Sequence, residues 1–431
     1  MKFKIHTLGC KVNIYESEFI THLFVSNGYT NVSDEGIADI YIINTCTVTN
    51  NADNKSRKLI RRAKKENKES IVIMCGCYSE YMKGNIEIDD VDIIIGNKDK
   101  NKLLETLEEY IKNKKQIIKI SNIDNNNFED MEINKFDSHT RAFVKIQDGC
   151  NNYCSYCIIP YVRGNVRSKN KQKVIDEITK LVGNGHKEVV LTGIHTGNYG
   201  KDLGCNLASL LEELVKIINL KRIRISSIEI TELDEEFLNV LRNNKIIVDH
   251  MHIPLQSGSD TILKAMNRKY DTKYFYDKIK VIRSIRPNIN ITTDVIVGFP
   301  GEDFNEFNET MEFIRKVQFT KLHVFPYSKR TGTVAASMDN QVASEVKKIR
   351  AKTLNNISKE LTKNYNSKFL NTITEVLIEK KIGGNRYVGH TNNFIEVIVE
   401  SDLDISSNII QVQINEIKNE KCYGKIMECE K

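Results

Sequence analysis

AFVKIQDGCNNYCSYC, residues 142–157, sets Cys150, Cys154 and Cys157 at C-x3-C-x2-C spacing on the loop after an apolar strand. Three thiolates on one short loop can hold three irons of a cubane cluster and leave the fourth iron open to a small molecule. Zinc is the competing reading. A structural zinc normally takes four protein ligands, and the nearest histidine, His139, lies on the far side of the strand.

Outward from that loop, the runs AFVKIQ, EVVLT, RIRISSI, HMHIPL, ITTDVIV and KLHVFPY alternate with helical patterns between about 140 and 366. Regular β/α alternation predicts a parallel sheet with helices outside. Six units fall short of the eight of a closed barrel, so residues 140–368 are expected to form a partial (β/α)6 barrel. Residues 369–431 change to short alternating runs such as TEVLIE and NFIEVIVE, punctuated by Gly383, Gly384 and Gly389. That pattern predicts a small all-β barrel of OB-like type, a shape often used on nucleic acids.

Before the loop, Phe3 to Leu8, Ile40 to Ile43, Ile71 to Met74 and Val91 to Ile95 read as strands between amphipathic helices. The fold class is therefore α/β, opening with a parallel-sheet domain over 1–118. Residues 119–139, centred on the polar stretch SNIDNNNFEDMEINKFDS, read as a connector. In this first domain Cys10, Cys46 and Cys77 each follow a strand. Open parallel sheets gather ligands at the carboxyl ends of their strands, so the three are expected to converge on a second metal site. Three unrelated buried thiols is the alternative, and Cys75 competes with Cys77.

The composition is that of a globular protein, 40% hydrophobic and 28% charged. No secretory h-region opens the chain, and no run approaches the roughly 18 apolar residues of a spanning helix. A cytoplasmic location is expected. Ten cysteines in that setting point to metals or chemistry rather than disulfides. The net charge is only +6, but Arg57, Lys58, Arg61, Arg62, Lys64 and Lys65 share one helical stretch. They form either a solvated face or a polyanion contact.

TLGCKVNIYES from Thr7, NTCTVT around Cys46, GCY at Cys77 and DGCNNYCSYCIIPYVRG around the second triad resemble the radical SAM methylthiotransferase family over essentially the whole chain. The tail is similar to the TRAM RNA-binding domain. The resemblance implies two 4Fe-4S clusters and S-adenosylmethionine (SAM) as cofactors. Cys150, Cys154 and Cys157 would hold the SAM-cleaving cluster, and Cys10, Cys46 and Cys77 an auxiliary cluster that supplies sulfur. Short motifs at the ends of later strands fit SAM contacts: Tyr156, Thr192, Gly193, Ser227, Glu229, Gln256 and Gly298. Their plainer readings are a core aromatic for Tyr156 and turn geometry for Gly298.

LGCKVNxYES resembles the branch acting on N6-threonylcarbamoyladenosine beside the tRNA anticodon. The isopentenyladenosine branch tends to YGCQMN, and a third branch modifies a ribosomal protein. A threonylcarbamoyl group ends in a carboxylate, so Lys11, next to Cys10, is a candidate substrate contact. Solvent exposure, or tuning of the cluster, is its alternative role. Arg163 and Arg167 are further substrate-binding candidates. The family commonly has RGxxRSR there, whereas this chain ends the motif in Lys169 and loses a planar fork. The expected partners are tRNA, SAM, an electron donor and a sulfur source, with no membrane. A metal-stabilised RNA-binding protein without catalysis is the rival class.

Overall fold

In the computed structural model the described residues are 1–32, 36–83, 90–123 and 127–427. Continuous apolar runs suit strands covered on both faces, and the first domain is built that way. Its strands are β1 (Lys2–Thr7), β2 (Thr30–Asn31), β3 (Ile40–Thr45), β4 (Ile71–Gly76), β5 (Ile93–Ile95) and β6 (Ile117–Lys119). They form one parallel sheet in the order β2-β1-β3-β4-β5-β6. Helices α1 (Lys11–Ser26) and α4 (Leu103–Asn113) cover one face through Ile20, Phe24, Leu103 and Leu107. Helix α2 (Asn50–Glu66) covers the other through Ile60 and Ala63. Its basic residues point away from that core. Arg62 pairs with Glu66 and Lys64 with Asp92, while Lys58, Arg61 and Lys65 are exposed.

The second domain begins with β7 (Ala142–Lys145), followed by the short antiparallel pair β8 (Gln147–Asp148) and β9 (Arg167–Ser168). Then come β10 (Glu188–Thr192), β11 (Arg222–Ile225), β12 (His250–His252), β13 (Asn290–Val297) and β14 (Lys321–Pro326). Two parallel sheets, β7-β10-β11 and β12-β13-β14, meet where Ile228 N–H donates to the His252 carbonyl at 3.0 Å. All six strands read from the sequence are present, and β7 and β14 leave the barrel open. Ile223 and Ile225 of β11 point into the helix-side core, so Arg222 and Arg224 occupy its lumen face.

The connector is not a loose one. Met131, Ile133 and Phe136 are buried in the core of the second domain. The apolar residues were hidden among polar neighbours, and only packing against the barrel reveals their shared face.

After the helix Ser344–Ser367, strands β15 (Ile373–Gly383), β16 (Arg386–Thr391), β17 (Glu396–Glu400), β18 (Ile409–Lys418) and β19 (Lys421–Ile426) form a closed barrel. Among the described residues no helix is long and apolar enough to cross a membrane.

Candidate active site

The first-domain cysteines sit where three parallel strands end. Cys10 caps α1, Cys46 follows β3, and Cys77 opens the short helix α3 (Cys77–Tyr81). Gly9 between β1 and Cys10 has φ +102°, and a Cβ there would lie 2.8 Å from Cys46 Cβ and 3.1 Å from its Sγ. Glycine thus lets the two cysteine loops close together. Burial, then the charge of Cys77, pushes the Cys46 thiol up to about 12. A thiol in that state keeps its proton until a metal takes its place. Cys75 points the other way, into the apolar core under α1 and α4.

The second triad lies on the loop between β8 and helix α5 (Ile159–Arg163). Gly149, with φ +75°, turns the chain so tightly that a Cβ would meet the Asn165 carbonyl oxygen at 1.9 Å. Burial, then the neighbouring Cys154, pushes the Cys157 thiol up to about 12. Two cations outside the triad reach its sulfurs. Arg268 Nη1 donates to Cys154 Sγ at 3.2 Å, and the His195 Nδ1 ring nitrogen stands 3.6 Å from Cys150 Sγ. His195 also pairs with Glu232 at 2.5 Å. Burial disfavours its charge, but Cys150 and Glu232 outweigh burial and raise its pKa to about 10. Beside this loop a hollow of about 530 Å³ is lined by Asn151, Asn152, His195, Asn198 and Glu232, among others. His195 and Arg268 carried no signal in the sequence beyond lying near the strand-end motifs.

Between the triads lies a buried charge network that changes the reading of two candidates. Arg163 is fully buried and does not face a substrate. Its Nε donates to Cys77 Sγ at 3.2 Å, Nη1 to Glu16 and Asp148 at 3.1 Å, and Nη2 to Asn13 at 2.7 Å. Arg167 is also buried, lies 3.8 Å from Asp148, and donates to the carbonyls of Arg163 and Asn165. Both are held inside the protein because the carboxylates that neutralise them are themselves buried. Lys100 and Lys145 complete the contacts to Glu16, at 2.8 and 2.9 Å. Lys169, which replaces the family's arginine, is buried as well and bonds Glu177 and the Met131 carbonyl at 2.7 Å. A compact ammonium suits that pair of oxygens.

The other candidates lie as follows. Tyr156 packs against the cluster of Ile262, Met266, Phe299 and Tyr327. Thr192 is buried, and a Cβ on Gly193 would approach Gln147 Oε1 to 2.9 Å. Ser227 is half-buried after β11. Glu229 is already engaged by Arg268. Gln256, at φ +69°, joins the end of β13 through a bridge to Val295. Gly298 gives room to Lys347, whose Cγ would stand 2.4 Å from an added Cβ. Lys11 is half-buried and makes no hydrogen bond or ion pair among the described residues. Burial, followed by Arg141 and Arg224, lowers its pKa to about 8. Just after β14, Arg330 locks the domains together through Asp53 and Asn50 at 2.7 Å and Thr47 at 2.6 Å.

Residues 144–314 match the Radical SAM superfamily, and residues 2–96 match Uncharacterized protein family UPF0004. A threonylcarbamoyladenosine tRNA methylthiotransferase MtaB of Bacillus subtilis is 45% identical over 95% of this chain and 92% of its own. That of Aquifex aeolicus is 37% identical over 92% and 96%. The chain belongs to the radical SAM methylthiotransferase family. A tRNA-2-methylthio-N(6)-dimethylallyladenosine synthase of Natranaerobius thermophilus is 36% identical over 99% of this chain and 97% of its own. Among solved structures, the radical SAM methyltransferase TsrM of Kitasatospora setae superposes with a TM-score of 0.57 at 13% identity, covering 78% of this chain and 76% of that one. That likeness concerns the fold.

As a radical SAM methylthiotransferase, the enzyme uses a 4Fe-4S cluster and SAM. The donor set fits clusters with three thiolates each. In direct contact between the triads, four cations (Lys100, Lys145, Arg163, Arg167) meet two carboxylates (Glu16, Asp148). That surplus of positive charge suits anionic, thiolate-ligated clusters on both sides.

Proposed function

We propose that this methylthiotransferase modifies C2 of N6-threonylcarbamoyladenosine, 3′-adjacent to the anticodon of tRNA, with two 4Fe-4S clusters. The observation that carries the two-cluster reading is the pair of cysteine triads at strand ends, facing each other across the Arg163 network. The substrate reading rests on the relatives named for threonylcarbamoyladenosine, at 36–45% identity. Held by three thiolates, a 4Fe-4S cluster would offer SAM an open iron and supply the one-electron reduction that cleaves it.

The chain's own residues do the rest. Cys150, Cys154 and Cys157 would hold the SAM-cleaving cluster, with Arg268 donating to Cys154 Sγ and the His195 ring beside Cys150 Sγ. Such donors to a ligand sulfur set its basicity and position. Cys10, Cys46 and Cys77 hold the sulfur-supplying cluster, with Arg163 in the same role toward Cys77. Tyr156, Thr192, Gly193, Ser227, Gln256 and Gly298 frame the SAM end of the barrel. The closed C-terminal barrel and the exposed cations of α2 bind the tRNA backbone, a contact that weakens with salt.

Mass spectrometry of tRNA nucleosides from cells with and without the gene tests the assignment. The expected result is loss of 2-methylthio-N6-threonylcarbamoyladenosine in the deletion. Loss of the isopentenyl counterpart instead, or a methylthio group missing from a ribosomal protein, overturns it.

A further inference from the structure

The lumen of the partial barrel is open on one side and polar at its amino end. His323 and Phe325 of the edge strand β14 are exposed, and the His323 ring faces that of His252 with centroids 5.5 Å apart. At the amino ends of the strands a turn from the C-terminal barrel closes the floor. The Asn290 side chain donates to the Asn393 carbonyl at 2.8 Å, and Arg222 donates to the His390 carbonyl at 3.1 Å. Between them Phe394, at φ +63°, lies flat against His390 with centroids 4.4 Å apart. The Arg224 guanidinium sits 4.5 Å and the His250 ring 4.8 Å from the Phe394 ring.

Three groups above this floor each leave a polar atom unpaired among the described residues. Arg224 is 1% exposed, and its Nε bonds Glu188 at 2.6 Å, yet its buried Nη1 has no hydrogen bond. His250 uses Nε2 toward Thr292 at 3.2 Å, while its buried Nδ1 has none. Lys11, at the start of α1, makes no hydrogen bond or ion pair among the described residues and lies close enough to Arg224 and His250 for their charges to interact. The neighbouring carboxylates each have an ion-pair partner, although Glu188 Oε2 accepts no hydrogen bond among the described residues. Glu188 pairs with Arg222 and Arg224, Glu379 with Arg141 and His390, and Asp294 with His252. Buried polar atoms without partners are rare, because each costs the desolvation of a polar group. An anion seated here would satisfy all three at once in the His250 tautomer that carries its proton on Nδ1.

We infer that Lys11, Arg224 and His250 form a carboxylate pocket above Phe394 that receives the end of the substrate's N6 substituent. This inference rests on the proposed substrate and names the part of the site that recognises it. With C2 of the adenine presented to the cysteines, N6 leaves the ring on a different edge. Its substituent then extends away from the carboxyl ends of the strands toward the floor. Lys11 follows Cys10 directly and so links the two levels. An apolar isopentenyl group in the same place would leave these polar atoms unpaired, so the pocket also rejects it.

The test uses the full-length protein with both clusters reconstituted and two synthetic anticodon stem-loops. One carries N6-threonylcarbamoyladenosine, and the other carries its carboxamide analogue, with the same shape and no charge. Fluorescence anisotropy gives the ratio of the two Kd values within each protein, so partial loss of fold or clusters cancels. Wild type is expected to prefer the carboxylate by a factor of about 30 or more. The ratio falls toward unity in Lys11→Met and in the charge-neutral double variant Arg224→Met with Glu188→Gln. Equal Kd values in wild type, or an undiminished ratio in both variants, overturn the pocket. If wild type modifies the threonylcarbamoyl loop yet binds the carboxamide equally well, the pocket fails alone. If it modifies only an isopentenyl loop, the substrate reading fails with it.

Discussion

Arg163 Nε donates to Cys77 Sγ at 3.2 Å while the same guanidinium is gripped by Glu16 and Asp148. One side chain of the second domain therefore reaches a sulfur of the first, and the carboxylates of both domains hold it there. Arg163→Lys keeps the charge and loses the fork. Loss of such an outer contact to a metal ligand typically costs 10–100-fold, so methylthiolation is expected to fall by about that factor. Redox titration followed by EPR, on protein loaded only at the first-domain triad, should show the midpoint potential moving negative. An unchanged potential would mean that Arg163 serves docking alone.

The two triads are separable because each hangs on its own sheet and core. Replacing Cys150, Cys154 and Cys157 with Ala should abolish SAM cleavage. Replacing Cys10, Cys46 and Cys77 should spare cleavage and stop thiolation. Product analysis for 5′-deoxyadenosine and for methylthio nucleoside on the same samples checks both. A first-domain variant that keeps its fold and second cluster but no longer cleaves SAM contradicts the division.

Cys75, Cys205, Cys422 and Cys429 are not expected to bind iron. Cys75 lies in the apolar core of the first sheet and Cys422 in that of the C-terminal barrel. Cys205 sits in the turn against Gly200, and Cys429 lies outside the described residues. Ser or Ala at all four positions should leave iron and sulfide per chain unchanged. A loss equal to one cluster would point to Cys75, two residues from Cys77.

Glu16 is the only carboxylate that touches Lys100, Lys145 and Arg163 together among the described residues. Burial works against its charge, but Arg163, Lys100 and Lys145 prevail and hold its carboxyl well below the usual range. Its folded pKa is therefore depressed, so its contribution is complete above the ordinary carboxylate pKa of about 4.3. That contribution is lost as pH falls through the lower folded value. Glu16→Gln leaves buried cations short of a partner and should cost about 3–5 kcal/mol at neutral pH. Thermal denaturation from pH 7 downward checks this. The gap in Tm between wild type and variant should close as the solution becomes acid, and a constant gap would refute the role of the charge.

The three-part architecture was legible in the sequence because its signals are local. IYIINT and IVIMCG declare strands covered on both faces, and the alternation of TEVLIE and NFIEVIVE declares a sheet with one wet side. The cysteines stood at strand ends, and a parallel sheet must bring its carboxyl ends together. Cys77 ranked above Cys75 because Cys75 still lies within the strand; two residues apart, the pair would share a face by strand alternation, and only the turn from β4 into α3 at Gly76 separates them.

Tertiary structure alone decided what surrounds those cysteines. Arg163 and Arg167 read in the sequence as substrate-binding candidates, and only the fold shows them buried against Glu16, Asn13 and Asp148. Asn13 lies 150 residues away from Arg163. The polar stretch after residue 120 hides Met131, Ile133 and Phe136, whose common face exists only against the barrel. Arg224 and Phe394 share no sequence signal, yet the C-terminal barrel brings them to 4.5 Å. Strand period and ligand spacing are properties of a few consecutive residues. The burial of a charge, and the partner that makes it tolerable, depends on chain segments that meet only when the domains close on one another.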